Sequence, residues 1–221
     1  VFLFTATNFT MVFSNKQLED SRLNIKRFKS IVESLPSYLK LHMDTKKDTD
    51  NIDLVRIDSL NNTIRSLSTG KDKASADKLG RGLNIPILWL DEFAFLNNNE
   101  ITYKAARPAL TKASEAAKQS GQPYGITITT TPNNLDEPEG MFCYKMIEKA
   151  AKFNEDWYDW DDKKLFDFID KNSGNNYVSV KYMYYDLGED ENWLKRQIKD
   201  LEGDMMTVKR EILLEWTFAS S

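Results

Sequence analysis

Residues 85–95 read Ile-Pro-Ile-Leu-Trp-Leu-Asp-Glu-Phe-Ala-Phe, and this stretch decides the fold that we expect for the chain. A short apolar run with a proline near its start is typical of a buried β-strand. The run ends in two adjacent carboxylates, Asp91 and Glu92. Because a buried carboxylate without a partner is costly, two charges at the end of such a strand need an explanation.

One explanation is chemical. Nucleotide hydrolases place an Asp-Glu pair at the end of a strand in a parallel sheet, where the Asp holds the Mg²⁺ of the nucleotide and the Glu orients or activates the attacking water. The other explanation is structural, because a helix N-terminus or solvent beyond a strand also favours acidic residues. The two interpretations of Asp91 and Glu92 are about equally favoured until a second motif is considered.

Composition narrows the class of protein. The 221 residues are 41% hydrophobic and 12% aromatic, enough for one substantial α/β domain, predicted over 1–221. A net charge of −4 argues against a strongly basic nucleic-acid coat but leaves room for a local basic groove. The single cysteine excludes an internal disulfide and favours a reducing compartment, and one His with one Cys makes an ordinary zinc site unexpected.

Neither a membrane span nor a secretory signal is expected. The apolar runs are far shorter than the roughly 20 residues that a transmembrane helix needs. The first residues, Val1 to Phe4, lack the basic start of a signal peptide and do not begin with Met. We therefore expect a protein that is not secreted, and a chain that is a piece of a longer one.

Periodicity and turn residues predict alternating strands and helices. Strands are predicted over 10–14, 54–57, 63–67, 85–91, 124–131 and 177–185, helices over 15–35, 100–120, 139–153 and 192–214, and a polar loop over 68–82. Within 100–120, Pro108 is expected to start a second piece or to kink the helix, and within 192–214 a break is expected at Gly203. This alternation favours βαβ units and a mainly parallel sheet.

A second candidate site lies in the strand predicted over 124–131. It ends in three hydroxyl-bearing residues, Thr129, Thr130 and Thr131, followed by Pro132-Asn133-Asn134. Ligands of parallel sheets bind outside the carboxyl ends of the strands, where these hydroxyls could bond a water, a γ-phosphate or Glu92. Taken alone, the threonines are explained more simply by their preference for strands.

Together, the acidic strand end, one helical crossover and the strand ending Thr-Thr-Thr-Pro-Asn resemble the ATPase domain of the phage large terminase, the DNA-packaging motor. The resemblance covers nearly the whole chain and is most specific over 89–132. Weaker similarities are Phe13-Ser14-Asn15-Lys16-Gln17, Gly80-Arg81-Gly82, Ala106-Arg107-Pro108-Ala109-Leu110, Val208-Lys209-Arg210-Glu211 and Trp216-Thr217-Phe218.

The resemblance implies a three-layer P-loop NTPase fold of the ASCE type, with ATP and Mg²⁺ as cofactors. Asp91 and Glu92 would form the Walker B motif, with Asp91 binding Mg²⁺ and Glu92 activating water. Thr129, Thr130 and Thr131 would form the motif that couples hydrolysis to movement. Arg81 would act on the phosphoryl group of a neighbouring subunit, although a solvated loop arginine is an equal alternative.

The same resemblance implies partners. The intact protein would drive double-stranded DNA into a procapsid, as a homo-oligomeric ring that meets the portal protein and the small terminase subunit. It would lie in the host cytoplasm and, transiently, at the portal. A C-terminal nuclease domain would lie outside residues 1–221.

One departure from the family is clear. Ser66 to Asp72 resembles a phosphate loop, but Arg65 stands where the first glycine is needed and Asp72 replaces the Ser/Thr. We therefore expect the phosphate loop upstream of Val1, and a chain that by itself is close to inactive. Two other functions remain open: a helicase-like ATPase that acts on nucleic acid, and a non-catalytic scaffold that binds DNA or a partner.

Overall fold

The computed structural model describes residues 2–15, 17–39, 44, 46–68, 70, 72–82 and 85–219. They form two compact units, one up to Thr130 and one from Thr131 onward, and each is described by itself. The single domain predicted over 1–221 stays a prediction. Lys16, in the similar segment 13–17, lies outside the described residues, as do Thr69 and Lys71 of the segment that resembles a phosphate loop.

A six-stranded mixed sheet is the centre of the first unit. Its strands are β1 (Thr10–Asn15), β2 (Thr49–Asp50), β3 (Leu54–Ile57), β4 (Asn62–Ser68), β5 (Ile87–Leu90) and β6 (Gly125–Ile128). They lie in the order β2-β3-β4-β1-β5-β6. Strands β4, β1, β5 and β6 run parallel, whereas β2 and β3 extend the sheet antiparallel. The predicted α/β class with a mainly parallel sheet flanked by helices is confirmed.

The described helices of this unit are α1 (Phe2–Thr5), α2 (Leu18–Ser34), α3 (Lys73–Arg81) and α4 (Asn99–Gln119). Helix α2 packs on β1 and β4. It buries Ile25 and Ser21, and the Ser21 hydroxyl donates a hydrogen bond to the carbonyl oxygen of Leu67 in β4 at 2.9 Å. The helix ends just before Pro36, as the sequence predicts, because the residue before a proline disfavours the helical conformation.

The hydrophobic core of the first unit joins the sheet to its two N-terminal helices. Its buried members are Leu3, Phe9, Ile25, Val55, Ile57 and Ile64. A buried side chain, Asn62, ties the start of the chain to this core, since its amide donates to the carbonyl oxygens of Leu3 and Ala6 at 2.9 and 2.6 Å and its oxygen accepts from the backbone N–H of Phe9 at 2.7 Å. A buried amide with three partners costs little to bury and fixes the path of the backbone.

The predicted loop over 68–82 is wrong, because residues 73–81 form α3. The helix begins with a capping box: the Asp72 carboxylate accepts from the backbone N–H of Ser75 at 2.9 Å, and the Ser75 hydroxyl lies 3.1 Å from the backbone N–H of Asp72. The hydrogen bond from the Ser75 backbone lowers the pKa of Asp72. The polar composition suggested a loop, whereas the cap and the small buried residues Ala76 and Gly80 indicate a helix that packs closely.

Helix α3 packs on α4, and a glycine sets how closely they approach. A Cβ atom added at Gly80 would collide with the carbonyl oxygen of Thr102 and would lie 2.7 Å from Cβ of Ala105, both on α4. Helix α4 is one continuous helix across Pro108, where the sequence leaves open a kink or a second piece.

The second unit is built mostly of short elements. They are α5 (Pro138–Lys149), β7 (Ala151–Lys152), α6 (Asp162–Asn172), β8 (Val178–Ser179), α7 (Glu191–Asp200), α8 (Met205–Thr207) and a π-helical turn over Val208–Ile212. Cys143 is buried on α5, and burial raises the pKa of its thiol to about 12, so it is not poised as a nucleophile. Among the described residues, no helix is long and apolar enough to cross a membrane.

The strand predicted over 177–185 is mostly wrong. Only Val178–Ser179 pair with another described strand, β7, and Tyr184–Leu187 form a 3₁₀ turn that ends at Gly188 in the left-handed region, with φ 86°. Four side chains of this run, Val178, Val180, Tyr182 and Tyr185, are exposed, whereas Tyr177, Met183 and Tyr184 are half-buried. An alternating pattern forms a strand only where a partner strand is available, and most of this segment pairs with no described strand.

Replacing Gly80 with Ala is expected to destabilise the first unit. The added methyl group meets the backbone of α4, so the two helices must separate, a change that costs roughly 1–3 kcal/mol. Gly82→Ala is the matched control, because its Cβ would meet no atom closer than 3.4 Å and its φ of −80° suits any residue. Chemical denaturation measures both. Equal stability of the two variants would contradict the close packing of α3 on α4.

Candidate functional site

The candidate site lies at the carboxyl ends of β1, β5 and β6. In the sheet register, Leu90 at the end of β5 pairs with Ser14 of β1 and with Ile128 of β6. The residues that follow these three positions, namely Asn15, Asp91 and Thr129, therefore come together at one edge of the sheet. Because parallel strands present their ligands outside this edge, it is the expected place for a site.

Asp91 accepts hydrogen bonds on both carboxylate oxygens. The Thr129 hydroxyl donates to Oδ1 at 2.7 Å, and the side-chain amides of Asn15 and Asn24 donate to Oδ2 at 3.1 and 3.3 Å. Its backbone N–H continues the sheet by donating to the carbonyl oxygen of Ser14 at 2.9 Å. The carboxylate is half-buried, and its three side-chain donors compensate for the water that it loses.

The Thr129 hydroxyl is itself held from the other side. The indole N–H of Trp89, one residue before Leu90 on β5, donates to Thr129 Oγ1 at 3.0 Å. An indole N–H can only donate, so the hydroxyl accepts from Trp89 and gives its one hydrogen to Asp91. Trp89 also packs its ring against Phe13 of β1, with ring centroids 5.3 Å apart.

Glu92 has an uncommon backbone conformation. Its φ of 53° and ψ of 42° lie in the left-handed region, where a residue with a Cβ is strained. It stands before the 3₁₀ turn Phe93–Phe95, and its carbonyl oxygen accepts from the N–H of Phe95 at 2.8 Å. Strained residues of this kind are concentrated at functional sites, so the outlier favours a chemical role for Glu92.

The end of β6 holds the turn that follows the acidic pair. The Thr130 hydroxyl accepts from the backbone N–H of Ala94 at 3.1 Å, and the Thr129 carbonyl oxygen accepts from the N–H of Phe93 at 3.1 Å. Thr129 and Thr130 are thereby connected to the acidic strand end. Thr131 is the first residue of the second unit.

Arg81 is not joined to these residues. It is the last residue of α3, not part of an open Arg-Gly turn, and its side chain is 72% exposed. It forms an ion pair with Asp77 on the same helix at 2.8 Å, and this hydrogen bond raises the pKa of Arg81. Within the described chain, no hydrogen bond or ion pair links Arg81 to Asp91 or Glu92, and its role stays a prediction.

The sequence predicts no role for three residues of the site, Asn15, Asn24 and Trp89. Asn15 could have been found from its place at the end of a predicted strand. Asn24 lies on α2, 67 positions from Asp91, and nothing in the sequence pairs them. Trp89 has the appearance of an ordinary buried strand residue.

The residues at this edge fit a magnesium ion that is shared with a phosphate ligand. Among the described residues, no group of three or more His, Cys, Asp or Glu side chains could enclose a metal. Mg²⁺ does not need one, because it commonly binds one or two carboxylates and completes its shell with waters and phosphate oxygens. Asp91 is the carboxylate placed for this, and Glu92 is its neighbour.

The strain at Glu92 can be measured with two variants that both remove its side chain. Gly adopts a φ of 53° freely, whereas Ala keeps the Cβ that causes the strain. We expect Glu92→Gly to be more stable than Glu92→Ala by about 1 kcal/mol in chemical denaturation. Equal stability, or a more stable Ala variant, would show that Glu92 does not hold the left-handed conformation.

Comparisons with known proteins find similarity in structure but none in sequence. No protein-family model and no curated protein matches the sequence. The ATPase domain of the Thermus phage P74-26 large terminase is similar in structure, with a TM-score of 0.59 and 14% identity over 98% of this chain and 80% of that one. An arginine-to-alanine mutant of that domain gives the same values.

The large terminase of another thermophilic bacteriophage is also similar, with a TM-score of 0.51 and 14% identity over 96% of this chain. This chain spans only 42% of that protein. At such low identity, structural similarity establishes the fold and leaves the function to be argued from the site. The resemblance predicted from residues 89–132 is confirmed in these terms: the chain has the fold of phage large terminase ATPase domains.

Proposed function

We propose that the protein is the ATP-hydrolysing part of a viral DNA-packaging motor, in which Asp91 and Glu92 form the Walker B pair. The observation that carries the proposal is Asp91, held by three donors at the carboxyl end of a parallel strand and followed by a strained glutamate. A buried structural carboxylate would need partners, but it would not need a second carboxylate in a strained conformation beside it.

Each residue then has a distinct role. Asp91 would hold the Mg²⁺ that accompanies ATP, and this ion would neutralise charge on the transferring phosphoryl group. Glu92 orients the attacking water and takes its proton. Thr129 fixes Asp91, and Thr130 fixes the turn after Glu92 through the N–H of Ala94, so that β6 couples the state of the acidic pair to the rest of the chain. Thr131 is proposed to act with them.

The proposed partners follow from the similarity in fold to phage large terminases. The intact protein would act on double-stranded DNA as a ring, with the portal protein and the small terminase subunit. It would work in the host cytoplasm at the procapsid. We propose no described residue as the phosphate-binding loop. ATP hydrolysis is therefore proposed for the intact protein, and the experiments below measure the intact protein.

Glu92→Gln tests the catalytic assignment. The amide keeps the size of the side chain but cannot accept a proton, so we expect the kcat for ATP of the intact protein to fall roughly 10²- to 10⁴-fold while ATP affinity is preserved. Glu115→Gln, at an exposed position on α4, is the matched control and should leave turnover unchanged.

The outcomes separate the candidate functions. Full activity of Glu92→Gln would remove Glu92 from the reaction. ATP turnover that is stimulated by single-stranded nucleic acid, and not by double-stranded DNA with the portal, would favour a helicase-like ATPase. An intact protein that binds DNA but neither binds nor hydrolyses ATP would favour the scaffold.

Arg81→Ala tests whether this arginine acts on a neighbouring subunit. In the assembled ring we expect turnover to fall by roughly 10³-fold or more with ATP binding intact, because an arginine supplied in trans stabilises the transferring phosphoryl group. Lys78→Ala removes an equal charge from the same turn of α3 and should have little effect. Unchanged turnover in Arg81→Ala would leave Arg81 as an exposed residue paired with Asp77.

A further inference from the structure

We propose that Asn24 and Trp89 are positioning residues that hold the Asp91 carboxylate so that Oδ1 alone faces the cation. Neither residue would touch the nucleotide or the metal. The inference rests on the proposed function only in naming the cation, since the arrangement of donors around Asp91 is a property of the protein by itself.

Hydrogen-bond donors fill Oδ2 of Asp91. Asn15, at the end of β1, and Asn24, on α2, both donate to this oxygen, at 3.1 and 3.3 Å. A carboxylate oxygen offers about two lone pairs, so two donors leave Oδ2 with no lone pair for a metal or a water. Among the described residues, Oδ1 has one donor, the Thr129 hydroxyl, which leaves one lone pair available.

Arg27 fixes which end of the Asn24 side-chain amide faces Asp91. A guanidinium N–H of Arg27, one turn along α2, donates to Asn24 Oδ1 at 3.3 Å. Because a guanidinium can only donate, it selects the amide orientation that puts the carbonyl oxygen toward Arg27 and the NH₂ group toward Asp91. Arg27 therefore favours the arrangement in which Asn24 is a donor to Asp91.

Trp89 fixes the direction in which the Thr129 hydroxyl donates its hydrogen. The Trp89 indole N–H occupies a lone pair of Thr129 Oγ1 from the sheet side, at 3.0 Å, so the hydroxyl hydrogen is given to Asp91 Oδ1 at 2.7 Å. Without the indole, the hydroxyl could turn and accept from another donor. Trp89 thus fixes a hydrogen bond to Asp91 that it does not itself make.

These contacts restrain Asp91 from three elements. A rotation of the carboxylate that exchanged its two oxygens would break the bonds to α2, β1 and β6 together. Residues that orient a metal-binding carboxylate commonly affect metal affinity about 10- to 100-fold without touching the metal. Asn24 is the most informative to change, because it is only half-buried and its loss leaves Asn15 in place.

The test begins without nucleotide. Side-chain N–H resonances of Asn24 and Trp89 are followed by NMR in the intact protein, in wild type and in Asp91→Ala. We expect the Asn24 amide and the Trp89 indole signals to shift in Asp91→Ala, while the Asn62 amide, held by Leu3 and Ala6 at the start of β4, stays in place. Unmoved Asn24 and Trp89 signals would overturn the proposal whatever the protein hydrolyses.

A second experiment measures the affinity for Mn²⁺ in the presence of ATP by electron paramagnetic resonance. The dependence of ATP turnover on Mg²⁺ concentration is measured alongside it. We expect Asn24→Ala, Asn24→Leu and Trp89→Phe each to weaken metal binding roughly tenfold, with KM for ATP at saturating Mg²⁺ nearly unchanged. Asn24→Leu is close to the amide in size but has no donor and no charge, so it serves if Asn24→Ala unfolds. Ser21→Ala is the control, since it loosens α2 from β4 without touching Asp91.

The outcomes are distinct. Weaker metal binding in the Asn24 and Trp89 variants but not in Ser21→Ala supports the positioning role. Equal loss in all of them, or in none, overturns it. If the wild-type protein binds neither Mn²⁺ nor ATP, the proposed function fails, and the NMR measurement still decides whether Asn24 and Trp89 hold Asp91.

Discussion

The structure of the candidate site depends on one carboxylate. Asp91 joins the ends of β1 and β6 and the first turns of α2, because its two oxygens together accept from side chains on all three. A half-buried charge of this kind is stable only while its donors stay in place. The hydrogen bonds that compensate for the burial of Asp91 also fix its orientation. In the proposed function, the same interactions would prepare this edge of the sheet to bind a cation.

The elements around Asp91 differ in how far the sequence predicts them. Strand β5 and its acidic end follow from an apolar run, and β6 follows from its β-branched residues, so the meeting of Asp91 with Thr129 could be predicted from parallel strand order. The contact with Asn24 could not, because it depends on how α2 crosses the sheet. Helix crossing is decided by packing between residues that are far apart in sequence, such as Ser21 with Leu67.

Two segments differ from the predicted secondary structure because neither polarity nor alternation fixes local structure by itself. Residues 73–81 look polar, yet Asp72 and Ser75 form a capping box and Gly80 permits close packing on α4. Residues 177–185 alternate like a strand, yet Val180, Tyr182 and Tyr185 are exposed, and only Val178–Ser179 pair with another described strand. Capping and partner availability, and not polarity, decided both segments.

The central claim is that Asp91 and Glu92 face a magnesium–nucleotide complex at the end of β5. A crystal structure of the intact protein with Mg²⁺ and a non-hydrolysable ATP analogue tests it most directly. The account predicts the ion on the Oδ1 side of Asp91, with Asn15 and Asn24 still bonded to Oδ2 and the Glu92 carboxylate facing the terminal phosphate. A nucleotide bound away from the ends of β5 and β6, or an ion held by Oδ2, would contradict it.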